Sequence, residues 1–123
     1  MKPKGDRYRI CVDFDGVLHS YTTPWIAPET IPDPPVPGAV EWLNRMAADF
    51  DIVIFTTRAA TRVGREAVLR WLNWHGCIVT GVTVTNRKQP ALVYIDDRAW
   101  RFTGNNFPTK SEIHAARPWN KPE

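Results

Sequence analysis

The sequence predicts an α/β fold: one domain of 123 residues, built on a parallel sheet with helices on both faces. Three observations predict it. Short apolar runs alternate with longer segments of helical periodicity. Most runs are continuously apolar rather than alternating, as in strands covered on both sides. Three of them stop at polar residues: Asp13 and Asp15, Thr56, and Asp96 with Asp97. The carboxyl ends of parallel strands share one edge, where such sheets bind ligands. Residues far apart in sequence therefore converge there.

Taken in order, residues 1–6 read as a loose tail and 7–13 as the first strand. The segment 19–37 carries Pro24, Pro28, Pro32, Pro34, Pro35 and Pro37. That density excludes a helix and suits no central strand. It reads as a long ordered loop, a stiff flap anchored by Trp25 and Ile26. Pro37-Gly38 opens a helix whose apolar positions are Ala39, Val40, Leu43, Met46 and Ala47, ending near Asp49. Residues 51–55 form a strand closed by Thr56-Thr57-Arg58. A second helix spans 61–75, with Val63, Ala67, Val68, Trp71 and Leu72 as its stripe and Gly76 as its stop. A third strand spans 78–84, interrupted by Gly81. Residues 86–90 are a polar connection. A fourth strand, 91–95, is closed by Asp96-Asp97-Arg98. Beyond Phe102 the pattern weakens to a turn at 104–106 and a short helix at 111–116.

The 43% hydrophobic content suits a soluble globular chain. No stretch reaches the roughly 20 apolar residues of a membrane span, and the charged start shows no leader. Cys11 and Cys77 lack metal-site spacing, and Cys11 reads as a small core residue. Both fit a reducing, cytoplasmic setting. The net charge of +3 favours a phosphate-bearing ligand without establishing nucleic-acid binding. The six tryptophans read as core and core-edge residues.

Asp13 and Asp15 stand two apart on a strand end and so share a side. Such a pair repels unless a divalent cation or a shared proton intervenes. An EF-hand loop starting at Asp13 fails, because its fifth, sixth and twelfth positions would be Val17, Leu18 and Pro24. The string Asp13-Phe14-Asp15-Gly16-Val17-Leu18 after an apolar strand resembles the first motif of haloacid-dehalogenase-like (HAD) phosphohydrolases. The strand ending at Thr56, with Thr57 beside it, resembles the second motif. Lys88 ahead of the last strand, with Arg87 as a substitute, resembles the third. The strand ending in Asp96-Asp97 resembles the fourth. The four occur in the family's order and cover about residues 7–102.

The resemblance implies a Rossmann-like three-layer sandwich without a separate cap domain. It implies a Mg²⁺-dependent phosphomonoester hydrolase. Asp13 would be the nucleophile and Asp15 the acid/base. Asp13, the Asp15 carbonyl and Asp96 would hold the metal, with Asp97 on a metal-bound water or on Lys88. Thr56 and Lys88 would position the phosphoryl oxygens. Thr57, Arg58, Arg87 and Arg98 would reach the rest of the substrate, and Trp25 could stack on a base or sugar. The expected substrate is a nucleotide or other phosphorylated metabolite, with no membrane or obligate protein partner. Two rivals carry similar residues. One is a polynucleotide 3′-phosphatase acting on oligonucleotide ends. The other is a receiver-like phospho-acceptor domain, in which the lysine would follow the acids. A metal-binding relic would not need both Asp13 and Asp15.

Overall fold

The computed structural model describes residues 7–120, so the expected tail at 1–6 lies outside the described residues. These residues form a four-stranded, all-parallel sheet of order β3-β2-β1-β4. The elements are β1 (Tyr8–Asp13), α1 (Ala39–Met46), β2 (Phe50–Phe55), a 3₁₀ turn (Thr57–Ala60) and α2 (Arg62–Trp74). They are followed by β3 (Thr83–Thr85), β4 (Val93–Ile95) and α3 (Lys110–Ala115). Thr61 caps α2 by accepting the Gly64 amide at 3.0 Å. Thr109 and Glu112 form a capping box on α3.

One hydrophobic cluster joins Ile10, Val12, Ile52 and Ile54 of the sheet to Leu43 of α1 and to Val68, Trp71 and Leu72 of α2. The sheet residues share one parity and hence one face, so both long helices cover that face. Cys11, Val53, Phe55 and Tyr94 have the opposite parity. The Tyr94 hydroxyl bonds both the amide and the carbonyl of Gln89, holding the 86–92 connection near that face. α3 buries none of its residues. The expectation of helices on both faces is corrected accordingly. The β3–β4 connection is too short for a crossover helix, which takes about a dozen residues.

Two further sequence readings change. The third strand shrinks to three residues, because Gly81 turns at φ +70° and Ile78 is exposed. The tryptophans are not mainly core: Trp71 is buried, whereas Trp25, Trp74, Trp100 and Trp119 are exposed. Among the described residues, no helix is long and apolar enough to cross a membrane.

Candidate active site

The strand order reverses between β1 and β4, the place where open α/β sheets leave a crevice. Asp13 is the last residue of β1, and Asp96 and Asp97 follow β4 directly. One carboxylate oxygen from each lies within 4.8 Å of the other two. Burial and then the Asp96 charge push the Asp13 carboxyl up to about 8. Asp97 and Asp15 add to the rise, and the Phe14 amide opposes it. Asp97 Oδ1 is buried without a hydrogen-bond partner. That orphan oxygen and an all-oxygen donor set fit a hard divalent cation such as Mg²⁺.

Gly16 makes this arrangement possible. A Cβ at position 16 would stand 2.3 Å from Asp97 Oδ2, and the residue sits at φ +90°. Gly16→Ala is therefore expected to displace Asp97 and weaken Mg²⁺ binding at least tenfold by calorimetry. Unchanged affinity would remove Asp97 from the metal site.

The Asp15 carboxylate does not join the cluster. It accepts the Arg58 Nε–H at 3.1 and 2.9 Å, and its Oδ1 lies 2.8 Å from His19 Nδ1. His19 is fully buried, and its Nε2 accepts the Asp33 amide at 3.1 Å. An amide can only donate, so the ring proton sits on Nδ1 and is given to Asp15. Asp33 accepts from the Thr23 amide and hydroxyl at 2.8 and 2.6 Å. The His19 ring stacks on Phe14. Burial alone would raise the Asp15 pKa. The hydrogen bonds from His19 and Arg58, with the charge of Arg58, outweigh it and hold the carboxyl below its ordinary range. Two acids separated by one residue are thus driven in opposite directions, Asp13 toward its protonated form and Asp15 toward its ionised form.

Arg58 is not a free substrate-binding group, contrary to the sequence reading. It is 1% exposed, and its Nη1 donates to the carbonyls of Ala27, Pro28 and Thr30 at 3.1, 2.9 and 3.0 Å. The guanidinium fork matches several fixed acceptors at once, so it pins the proline-rich loop to Asp15. Trp25 lies over that guanidinium at 4.5 Å. Trp25 is itself 45% exposed and Ile26 63%, so the two do not form the buried apolar anchor expected of the loop. Gly64 permits the close fit, since a Cβ there would meet the Arg58 carbonyl at 2.0 Å.

Thr56 is buried, and its hydroxyl oxygen accepts the Arg58 amide at 3.2 Å, capping the 3₁₀ turn. A hydroxyl in that role keeps its proton for one donated bond. Thr57 is exposed. The Lys88 ammonium lies 5.7 Å from the Tyr94 ring centroid. Among the described residues, no ion pair joins it to Asp13, Asp96 or Asp97. Arg87 is exposed, and its amide bonds the Thr85 hydroxyl.

Sequence reasoning missed His19, Asp33 and the C-terminal segment. The spacing of His19 four residues after Asp15 is the one available signal. Trp119 Nε1 donates to the Gly16 carbonyl, and Asn120 Nδ2 to the carbonyls of Ser20 and Tyr21 at 2.8 and 3.1 Å. The segment up to Asn120 thus lies against the turn that follows Asp13. No family model matches the chain, nor does any curated protein or solved structure.

Proposed function

We infer that the chain is a Mg²⁺-dependent phosphomonoester hydrolase of Rossmann-like, HAD-like type, working through an aspartyl-phosphate on Asp13. The observation that carries this reading is the convergence of Asp13, Asp96 and Asp97 within 4.8 Å at the strand-order reversal, with Asp97 Oδ1 buried and partnerless. The carboxylates of Asp13, Asp96 and Asp97, with the Asp15 carbonyl, would hold Mg²⁺. When bound, Mg²⁺ would offset the repulsion between these carboxylates and a phosphate dianion.

Asp13 attacks phosphorus, and the ester oxygen departs. The Thr56 hydroxyl donates to a phosphoryl oxygen. Lys88 contributes its charge by turning its flexible stem away from Tyr94. Asp15, held ionised by Arg58 and His19, takes the proton of the water that hydrolyses the aspartyl-phosphate. An ionised Asp15 is a poor proton donor to the leaving oxygen in the first step. Turnover is therefore expected to fall steeply as the leaving group becomes more basic, from aryl to alkyl phosphates. A flat dependence in steady-state kinetics would mean that Asp15 is protonated when it acts.

The same pinned Asp15 favours one second reading, a phospho-acceptor domain that is phosphorylated on Asp13 and releases phosphate slowly. Multiple turnovers of an aryl phosphate per chain would exclude it. Labelling that stops at one phosphate per chain, is lost on mild alkaline treatment and is followed by no turnover would favour it.

A further inference from the structure

A cavity of about 380 Å³ opens beside the acid cluster, with Asp97 and Arg98 on one wall. The rest of its lining comes from the segment after β4, including Trp100, Pro108, Ile113 and Arg117. Its size falls in the range of small-molecule sites, roughly 300–1,000 Å³. Larger hollows of about 490 and 620 Å³ lie near Gly81 and near Trp74, and neither includes an acid of the cluster.

The wall is organised before any ligand arrives. Trp100 Nε1 donates to the Asn106 carbonyl at 2.8 Å. The Asn106 side chain accepts the Thr103 amide and hydroxyl at 2.6 and 2.9 Å and donates to the Arg101 carbonyl at 2.9 Å. These bonds fix the indole. Downstream, Trp119 and Asn120 tie the segment to the carbonyls of Gly16, Ser20 and Tyr21. The segment is thus held at both ends against the site. Trp100 is 42% and Ile113 59% exposed, so both present apolar surface.

We propose that the C-terminal segment is a built-in specificity wall. The cavity receives the base and ribose of a nucleotide whose terminal phosphate lies at Asp13, Asp96 and Asp97. Asp97 belongs to both cluster and cavity, so a phosphoryl group at the first places its leaving group at the second. Trp100, Pro108 and Ile113 reward a flat, weakly polar ring. A sugar phosphate would leave hydroxyls facing apolar side chains, at a cost. Arg98 complements the negative charge of the ligand. The proposal rests on the phosphohydrolase reading for its chemistry, but its binding can be measured separately.

The test uses the full chain with Mg²⁺ and compares Trp100→Ala and Ile113→Trp with the wild type. The first removes a stacking surface and the second fills the cavity. Substrates are a nucleoside monophosphate, a nucleoside diphosphate and glycerol 3-phosphate. Base stacking on an aromatic ring is worth about 1–3 kcal/mol. The ratio of kcat/KM for the preferred nucleotide to that for glycerol 3-phosphate should therefore fall about tenfold or more in both variants. In parallel, calorimetry on Asp13→Asn measures nucleotide binding without turnover, with and without Ile113→Trp. Nucleotide binding to Asp13→Asn that is lost with Ile113→Trp, while the wild-type chain with Mg²⁺ hydrolyses none of the three phosphates, would keep the pocket and refute the hydrolase. Hydrolysis of glycerol 3-phosphate with no nucleotide preference, or a ratio unchanged in both variants, would overturn the pocket and leave the hydrolase standing.

Discussion

Asp13→Asn is expected to abolish turnover while making the metal-free protein more stable. The amide keeps the shape of the carboxylate but cannot attack phosphorus, so no aspartyl-phosphate forms. Stability follows from the charge it removes. Burial and Asp96 raise the folded-state pKa of Asp13 from 3.8 to about 8. A carboxyl raised in this way is protonated in the folded state while the unfolded chain has already ionised. The stability tied to that proton is present below about pH 4 and drains away as the pH rises through about 8. The amide of the variant cannot ionise and escapes the loss. Because Asp13 is only partly buried, we take about 2 kcal/mol at pH 8, or a Tm rise of about 5–10 °C. The gain should vanish near pH 4. Saturating Mg²⁺ should reverse the order at pH 8, since it stabilises the ionised wild type more than the variant. Scanning calorimetry at both pH values, with and without Mg²⁺, checks each part. Equal Tm values for wild type and variant at pH 8 in chelator would mean that neither burial nor the neighbouring acids disfavour the ionised Asp13.

Arg58→Ala should be the most destabilising substitution in the chain. It strips the charge partner from a largely buried Asp15 and leaves the carbonyls of Pro28 and Thr30 without the Arg58 donor, while the Ala27 carbonyl keeps the Thr30 amide. Removing one member of a buried ion pair costs about 3–5 kcal/mol. Most of that cost should come from the stranded carboxylate, so Asp15→Asn placed on top of Arg58→Ala should recover part of it. Loosening should concentrate in the proline-rich loop, where limited proteolysis between residues 19 and 37 should become faster. A variant within about 1 kcal/mol of wild type in urea denaturation, the size of a typical single-site effect, would show that Arg58 is not the tie between loop and site.

The sheet and its acid edge are legible in the sequence because both are written locally. Apolar runs stop at Asp13, Thr56 and Asp96, and parallel pairing brings Asp13 and Asp96 together once β1 and β4 are neighbours. What the sequence hides depends on distant contacts. Arg58 follows a strand end, as a phosphate-binding group would. Its acceptors lie on a loop some thirty residues earlier, and nothing near position 58 announces them. Strand spacing alone would set the carboxylates of Asp13 and Asp15 side by side. The left-handed Gly16 turn and the buried His19 instead direct Asp15 toward Arg58. Apolar strands suggest helices on both faces, whereas the short 86–92 connection leaves no chain for one. The tail shows no periodicity, because its order comes from single bonds such as Trp119 to Gly16 rather than from a repeating apolar face.

The central claim is that three aspartates at the strand-order reversal form a metal-dependent phosphoryl-transfer site. Phosphate release from an aryl phosphate by the purified chain tests it most directly, measured with Mg²⁺, with excess chelator, and with Ca²⁺ in place of Mg²⁺. The account predicts many turnovers per chain with Mg²⁺, none in chelator, and inhibition by Ca²⁺, whose larger and looser shell misplaces the phosphate. Undiminished release in excess chelator, or no release with Mg²⁺ from any phosphate ester tried, would contradict it.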